Sequence, residues 1–171
     1  MSLRVDITKM TKFQYASAIR WGLTVIQFPP GISGISSEDI NVRAYSATIP
    51  TTTADESPVE NRGNIIWQPG IIRYPGTQDL SFHEAEDGKM ADFLYKWRNL
   101  TWKDETGVQE PCKNLKSTWK LSLLDSKDNV REEYTLYGCW LKSYNATELG
   151  STGSETIKFN ITLQYDYFIK S

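Results

Sequence analysis

Three observations predict a mainly β protein with a single helix. The first is the run Glu155–Phe168, where Ile157, Phe159, Ile161, Leu163, Tyr165 and Tyr167 alternate with Lys158, Asn160, Thr162, Gln164 and Asp166. Period two is the signature of a strand with one dry face and one wet face. The second is that the same alternation recurs near 19–25, 118–123 and 133–140. The third is that only the segment near 87–100 carries a helical period. Read as one strand at roughly 3.4 Å per residue, the last run spans about 40 Å, well beyond an ordinary strand. Strands of that reach belong to barrels, large sandwiches or sheets that continue into a neighbouring subunit.

The bulk numbers bound the class. A length of 171 residues predicts one domain, 1–171, large enough to hold a core without disulfide or metal staples. Hydrophobic residues make up 39% and charged residues 23%, with no apolar run long enough to cross a membrane. The first residues, Met1-Ser2-Leu3-Arg4-Val5-Asp6, lack the apolar segment of a secretion signal, so the expected compartment is the cytosol. A net charge of −2 argues against tight nucleic-acid binding, which draws its affinity from a basic surplus. Cys112 and Cys139 sit in no metal-like spacing and read as reduced, mostly buried thiols.

Each element follows in order. Residues 1–17 mix charge and apolar residues without a period and read as an N-terminal arm. Ile19, Trp21, Leu23 and Val25 mark a first strand, stopped by Pro29-Pro30-Gly31. Gly31 to Asp39 reads as a Gly/Ser loop, and Val42 to Ile49 as a second strand closed by Pro50. Residues 50–70 form a long polar excursion ending in Ile65-Ile66-Trp67. A structureless loop of that length is uncommon in a compact domain and tends to be functional or disordered. Ile71–Tyr74 and Asp79–His83 read as short strands around the Pro75-Gly76 turn. Met90, Phe93, Leu94 and Trp97 at i, i+3, i+4 and i+7 make one apolar stripe of a helix, roughly 87–100. Asp87 or Glu86 is the expected cap. Residues 103–116 read as a charged loop. Trp119, Leu121 and Leu123, then Tyr134, Leu136, Gly138 and Trp140, flank the Asp125–Asn129 turn as a hairpin. A polar loop at 145–155 leads to the final strand.

Little in the chain points to chemistry. His83 is the one histidine and no G-x-S-x-G turn accompanies it, so the expectation is a strand-end histidine rather than a catalytic base. No His, Cys or carboxylate set has metal-ligand spacing, and Asp125, Asp128 and Asn129 lack the Gly and Glu of a calcium loop. Glu132 and Glu133 are strand neighbours on opposite faces and cannot act as a facing pair. The Asn-X-Thr sequons at Asn99, Asn145 and Asn160 read as chance matches. The six Trp, nine Tyr and six Phe sit mostly on dry faces and read as core, with Tyr137 and Phe168 in the exposed phase of an interface. The expectation is therefore no enzyme, no catalytic residue and no cofactor or metal.

The order of parts resembles the tail tube proteins of contractile-tailed bacteriophages, related in fold to the haemolysin-coregulated tube protein of type VI secretion. Four segments carry the resemblance: Arg20-Trp21-Gly22-Leu23-Thr24-Val25; Ala47-Thr48-Ile49-Pro50; Leu80 through Asp87 with Phe93-Leu94-Tyr95-Lys96-Trp97; and Tyr137-Gly138-Cys139-Trp140-Leu141 with Phe159 through Tyr167. The most specific is the last, a Gly-x-Trp strand end and then a terminal strand finishing in an Asp-Tyr step. Together they cover about residues 18–168. The chain departs from the pattern in its longer 50–70 excursion and its N-terminal arm.

The resemblance implies an antiparallel β-sandwich or half-barrel with one flanking helix. It implies a structural virion protein of the phage tail, assembled in the host bacterial cytoplasm as stacked hexameric rings through which DNA passes without specific binding. Implied partners are the sheath, the baseplate and the tail terminator. On that basis Lys120, Ser122, Glu133 and Thr135, with the 42–49 strand, are expected to line the lumen. Asp55, Glu56, Glu60, Arg62 and Trp67 of the 50–70 loop are expected to bridge rings. Asp92, Lys96 and Arg98 on the helix are expected to meet the sheath. The alternatives are a baseplate tube initiator or tube terminator of the same fold, a tube of type VI or extracellular injection, or, from another class, a carbohydrate-binding β-sandwich.

Overall fold

The computed structural model describes residues 16–150 and 155–171. The expected arm lies outside the described residues up to residue 15, and so does part of the 145–155 loop. Among the described residues there are nine strands and three helices: β1 (Trp21–Gln27), α1 (Ser37–Arg43), β2 (Ala44–Ala47), β3 (Thr53–Asn61), β4 (Asn64–Arg73), β5 (Thr77–His83), α2 (Lys89–Thr101), α3 (Cys112–Leu115), β6 (Ser117–Leu124), β7 (Val130–Ala146), β8 (Lys158–Gln164) and β9 (Tyr167–Lys170). The fold is mainly β, and every strand pair is antiparallel.

Seven strands run in the order β1-β6-β7-β8-β5-β2, with β9 also on β7. The long strand is β7, at 17 residues. Its first half pairs with β6 and β9, and its second half with β8. It therefore belongs to two layers: β1, β6, proximal β7 and β9 in one, and distal β7, β8, β5 and β2 in the other. This is the half-barrel expected, and the core fills the space between the layers. Leu23, Trp119, Leu121 and Leu136 come from the first layer, and Leu80, Phe82, Ile161 and Leu163 from the second. Met90, Phe93, Leu94 and Trp97 of α2 are all buried, as their spacing predicts. The Trp97 ring stacks on Trp119 at 5.9 Å with 6° between planes.

Four expectations are corrected. The final run is not one strand: it breaks at Tyr165–Asp166 into β8 and β9, so Tyr167 is exposed rather than inward. The alternation in β7 also slips at Gly138, where φ is +68°. Leu136 and then Cys139 and Leu141 point inward, and Trp140 does not lead that face. An extra residue in one strand has this effect, and glycine tolerates the left-handed backbone it needs.

Ser37–Arg43 is helical rather than loop and strand. Ser36 and Asp39 form a capping box, with Asp39 N to Ser36 Oγ at 3.0 Å and Ser36 N to Asp39 Oδ2 at 3.2 Å. Only Ala44–Ala47 of the predicted second strand is a strand. Finally, neither Asp87 nor Glu86 occupies the cap position of α2, which is Gly88 in the left-handed region. The acceptors are shared: Asp87 Oδ1 takes the first amide, Lys89 N, at 3.2 Å, and Glu84 takes Ala91 N at 2.7 Å and Met90 N at 3.4 Å. Arg43 holds Glu84 in turn at 3.0 Å, both side chains being about nine-tenths buried at 11% and 9% exposure.

Candidate assembly surfaces

The 50–70 excursion is a β-hairpin, not a structureless loop. Strands β3 and β4 pair from Thr53↔Arg73 to Asn61↔Asn64 and form a separate two-stranded sheet. Its tip is Arg62-Gly63, both at positive φ, as a two-residue turn between strands requires. All ten residues of β4 are exposed. Among them Ile66, Trp67 and Ile71 keep 63%, 62% and 73% of their surface in water. Directly opposed residues share a face, so Pro58 and Trp67, Glu60 and Ile65, and Glu56 and Pro69 line one side, and Val59 with Ile66 the other. Asp55 pairs with Arg73 at 2.6 Å near the base. The predicted residues Asp55, Glu56, Glu60, Arg62 and Trp67 thus share one projecting arm. An isolated two-stranded hairpin with apolar residues on both faces is marginal in water.

Lys120, Ser122, Glu133 and Thr135 meet on the outer face of the first layer. Lys120 opposes Thr135, and Ser122 opposes Glu133. Glu133 accepts from Lys120 Nζ at 3.3 Å and from Ser122 Oγ at 3.4 Å. The face continues to Tyr137, whose ring stacks on Tyr167 at 4.9 Å. The 42–49 segment does not join them, because β2 lies at the far end of the other layer.

The sequence reading missed the outer face of that second layer. Thr77, Asp79, Ser81 and His83 of β5 oppose Gln164, Thr162, Asn160 and Lys158 of β8. Thr162 Oγ1 donates to Asp79 at 2.8 Å, and Ser81 Oγ donates to Asn160 Oδ1 at 2.7 Å. This is a mainly hydroxyl and amide surface, carrying Asp79, His83 and Lys158 as its titratable groups. Its signal was present as the wet phase of the final run, but nothing in the sequence marks which strand lies beside it.

On α2, Asp92 and Lys96 pair at 2.6 Å and Arg98 pairs with Asp104, all partly exposed. The Arg98 hydrogen bond holds the Asp104 carboxyl below the usual carboxylate range. At the foot of the first layer, the Tyr134 hydroxyl and then Lys170 hold Glu132 low in the same way.

Strand edges differ in what covers them. On β1 two of the outward N–H groups are taken: Leu23 N donates to Asn41 Oδ1 and Val25 N to Ser37 Oγ, both at 2.8 Å. Among the described residues strand β2 pairs only with β5, and distal β7 only with β8, Lys142–Ala146 being exposed. Among the described residues no group of three or more His, Cys, Asp or Glu could hold a metal. Cys112 is exposed rather than buried as expected, Cys139 is buried, and both are free thiols.

The family model described as T4-like virus tail tube protein gp19 matches residues 71–169. The match includes β5 to β8 and most of β9. Comparison with curated proteins found no match. Among solved structures, the anti-feeding prophage tube terminating cap superposes with a TM-score of 0.66 at 20% identity, covering 93% of each chain. A chain of the PVC sheath-tube complex, from an extracellular contractile injection system in its extended state, gives 0.59 at 15%, covering 98% of this chain and 99% of that one. Hcp1 from Flavobacterium johnsoniae gives 0.52 at 8%, covering 89% and 94%. At these identities the likeness is one of fold.

Proposed function

The chain belongs to the T4-like virus tail tube protein gp19 family, and we propose that it is the repeating subunit of a hollow tail tube, closing into hexameric rings that stack. The family is structural and not enzymatic. The observation that carries the proposal is the pair of edges, β2 and distal β7, on the two ends of one layer, to which no further strand is paired among the described residues. An open edge presents unpaired N–H and C=O groups and invites a further strand. Two different open edges on one subunit make a head-to-tail contact, which closes into a ring when the rotation allows.

A sheet continued around such a ring needs both of its edges free. The layer bearing Lys120, Ser122, Glu133 and Thr135 has its β1 edge occupied by α1. This favours the other layer for the lumen, with Thr77, Asp79, Ser81, Asn160 and Thr162 facing inward, and assigns the Lys120–Glu133 face to the outer wall. A lining mostly of hydroxyls and amides, with Lys158 the one lysine on β5 and β8, suits passage of DNA, because each cationic contact to phosphate adds affinity and would slow transit.

The β3–β4 hairpin, through Asp55, Glu56, Glu60, Arg62 and Trp67, is the proposed bridge between rings. Its exposed apolar residues support that role, since burial against the next ring removes them from water. The exposed side of α2, with Asp92, Lys96 and Arg98, is the proposed sheath contact, and baseplate and terminator proteins are the proposed partners at the tube ends. Virion location and assembly in the host cytoplasm are part of the same proposal. Negative-stain microscopy of the purified chain tests it. Tubes of uniform width are expected. Rings that never elongate would instead identify a terminator or initiator, and a persistent monomer that binds glycans would overturn the reading.

A further inference from the structure

The outer edge of β1 is covered by side chains rather than by a strand. Antiparallel strands send the N–H and C=O of one residue to the same side and those of the next residue to the other. Leu124 N donates to Arg20 O, so Arg20, Gly22 and Thr24 face β6, and Trp21, Leu23 and Val25 face away from it. Two of those outward amides are satisfied by α1, Leu23 by Asn41 and Val25 by Ser37. The spacing matches: two residues along a strand and one turn of helix both advance about 6–7 Å. Ser37 and Asn41 are four apart and so project from the same side of α1. The helix is itself fixed by the Ser36–Asp39 capping box and by Ile40, which is fully buried.

We propose that Ser37 and Asn41 close the β1 edge to strand pairing with a second copy of this chain, leaving β2 and distal β7 as the edges by which its layers can continue into a neighbour. The proposal rests on the tube reading for its purpose, because only a chain that polymerises by its edges must choose among them. β1 is otherwise suited to unwanted pairing. It has seven residues, carries no proline, and holds the apolar residues Trp21, Leu23, Val25 and Ile26. A short polar side chain on an edge amide satisfies the donor and blocks the approach of another strand.

The test compares the wild-type chain, the pair Ser37→Ala with Asn41→Ala, and the pair Ser37→Thr with Asn41→Asp, which keeps an acceptor at each position. Amide exchange is read residue by residue, and association by sedimentation velocity, both on protein kept unassembled at low concentration and then raised in steps. In the alanine pair, Leu23 and Val25 should lose at least tenfold in protection while Thr24 keeps its own. Irregular assemblies, distinct from tubes, should rise at least fivefold. The acceptor-keeping pair should restore both readouts. If the alanine pair does not fold, Asn41→Ala alone is used, with Leu23 as the reporter. Protection unchanged at Leu23 and Val25, or protection lost without any rise in irregular association, would overturn the proposal. A wild-type chain that never forms tubes would count against the tube reading alone, since the association of the variants is still scored in soluble protein.

Discussion

Gly138 and Asp166 share one corner of the fold: the Asp166 carboxylate occupies the space that a Cβ at position 138 would fill. Gly138 marks where β7 leaves one layer for the other, and Asp166 marks where the chain passes from β8 to β9. Asp166 N donates to Tyr137 O at 2.9 Å, and Lys116 pairs with the carboxylate. The Gly-x-Trp and Asp-Tyr steps, far apart in sequence, are thus two sides of one bend.

Substitution Gly138→Ala should destabilise the chain by about 1–3 kcal/mol from backbone strain alone, and by more from the collision with Asp166. Because the collision needs both side chains, Gly138→Ala should cost less in an Asp166→Gly background than in wild type. Urea unfolding of the four chains in a double-mutant cycle measures this. Strict additivity would mean that the two residues do not share the corner.

Glu84 does two jobs, capping α2 and pairing with Arg43. Glu84→Ala leaves the Arg43 guanidinium with Asp87 alone and the Met90 and Ala91 amides of α2 without their acceptor. A loss of about 2–4 kcal/mol is expected, between that of a helix cap and that of a broken buried pair. Trp97→Ala should cost about 3–5 kcal/mol, since it empties the stack on Trp119. Thermal melts should show both, at roughly 2–4 °C per kcal/mol for a chain of this size.

The two thiols should separate cleanly. Burial pushes the Cys139 thiol up to about 12, while Cys112 is exposed. Titration with a thiol reagent at pH 8 should modify Cys112 in the native protein and Cys139 only after denaturation. An unfolded thiol ionises near 8.5. The folded value lies above that, so the contribution of Cys139 is intact below about pH 8.5 and is lost as pH rises toward the folded value.

At the acid end the sign reverses. Backbone amides of Asn129 and Lys127 hold Asp125 below the usual range, and Ser36 does the same for Asp39. Groups with depressed folded values contribute above the unfolded value of about 4, and that contribution is lost as pH falls through the folded value. Stability should therefore be level from about pH 5 to 8 and fall below about pH 4. The fall should be shallower in Asp125→Asn, as read by denaturant midpoints across pH.

Periodicity carried most of the fold because it depends only on which face is dry. The α2 stripe, the β6 strand and the inward set Phe159, Ile161 and Leu163 were legible for that reason. What periodicity cannot show is a change of phase. Gly138 and Asp166 each shift the alternation by one residue, so the last run looked like one long strand and the true long strand, β7, looked short. The hairpin was hidden for another reason. Its residues face water on both sides, so no apolar alternation marks it, and Pro58 and Pro69 read as loop. Helix α1 could have been found from Ser36-Ser37-Glu38-Asp39, a capping box that the surrounding glycines and serines masked. The candidate surfaces depend on which strands become neighbours, and that is decided by the bend at Gly138.

The most direct test is a cryo-electron microscopy map of the purified chain under conditions of assembly. The account predicts a hollow tube in which the β2 edge of each copy adds to the distal half of β7 of the next, with Asn160 and Thr162 toward the channel and the β3–β4 hairpin against the adjoining ring. Particles in which β2 and distal β7 meet only solvent would contradict it.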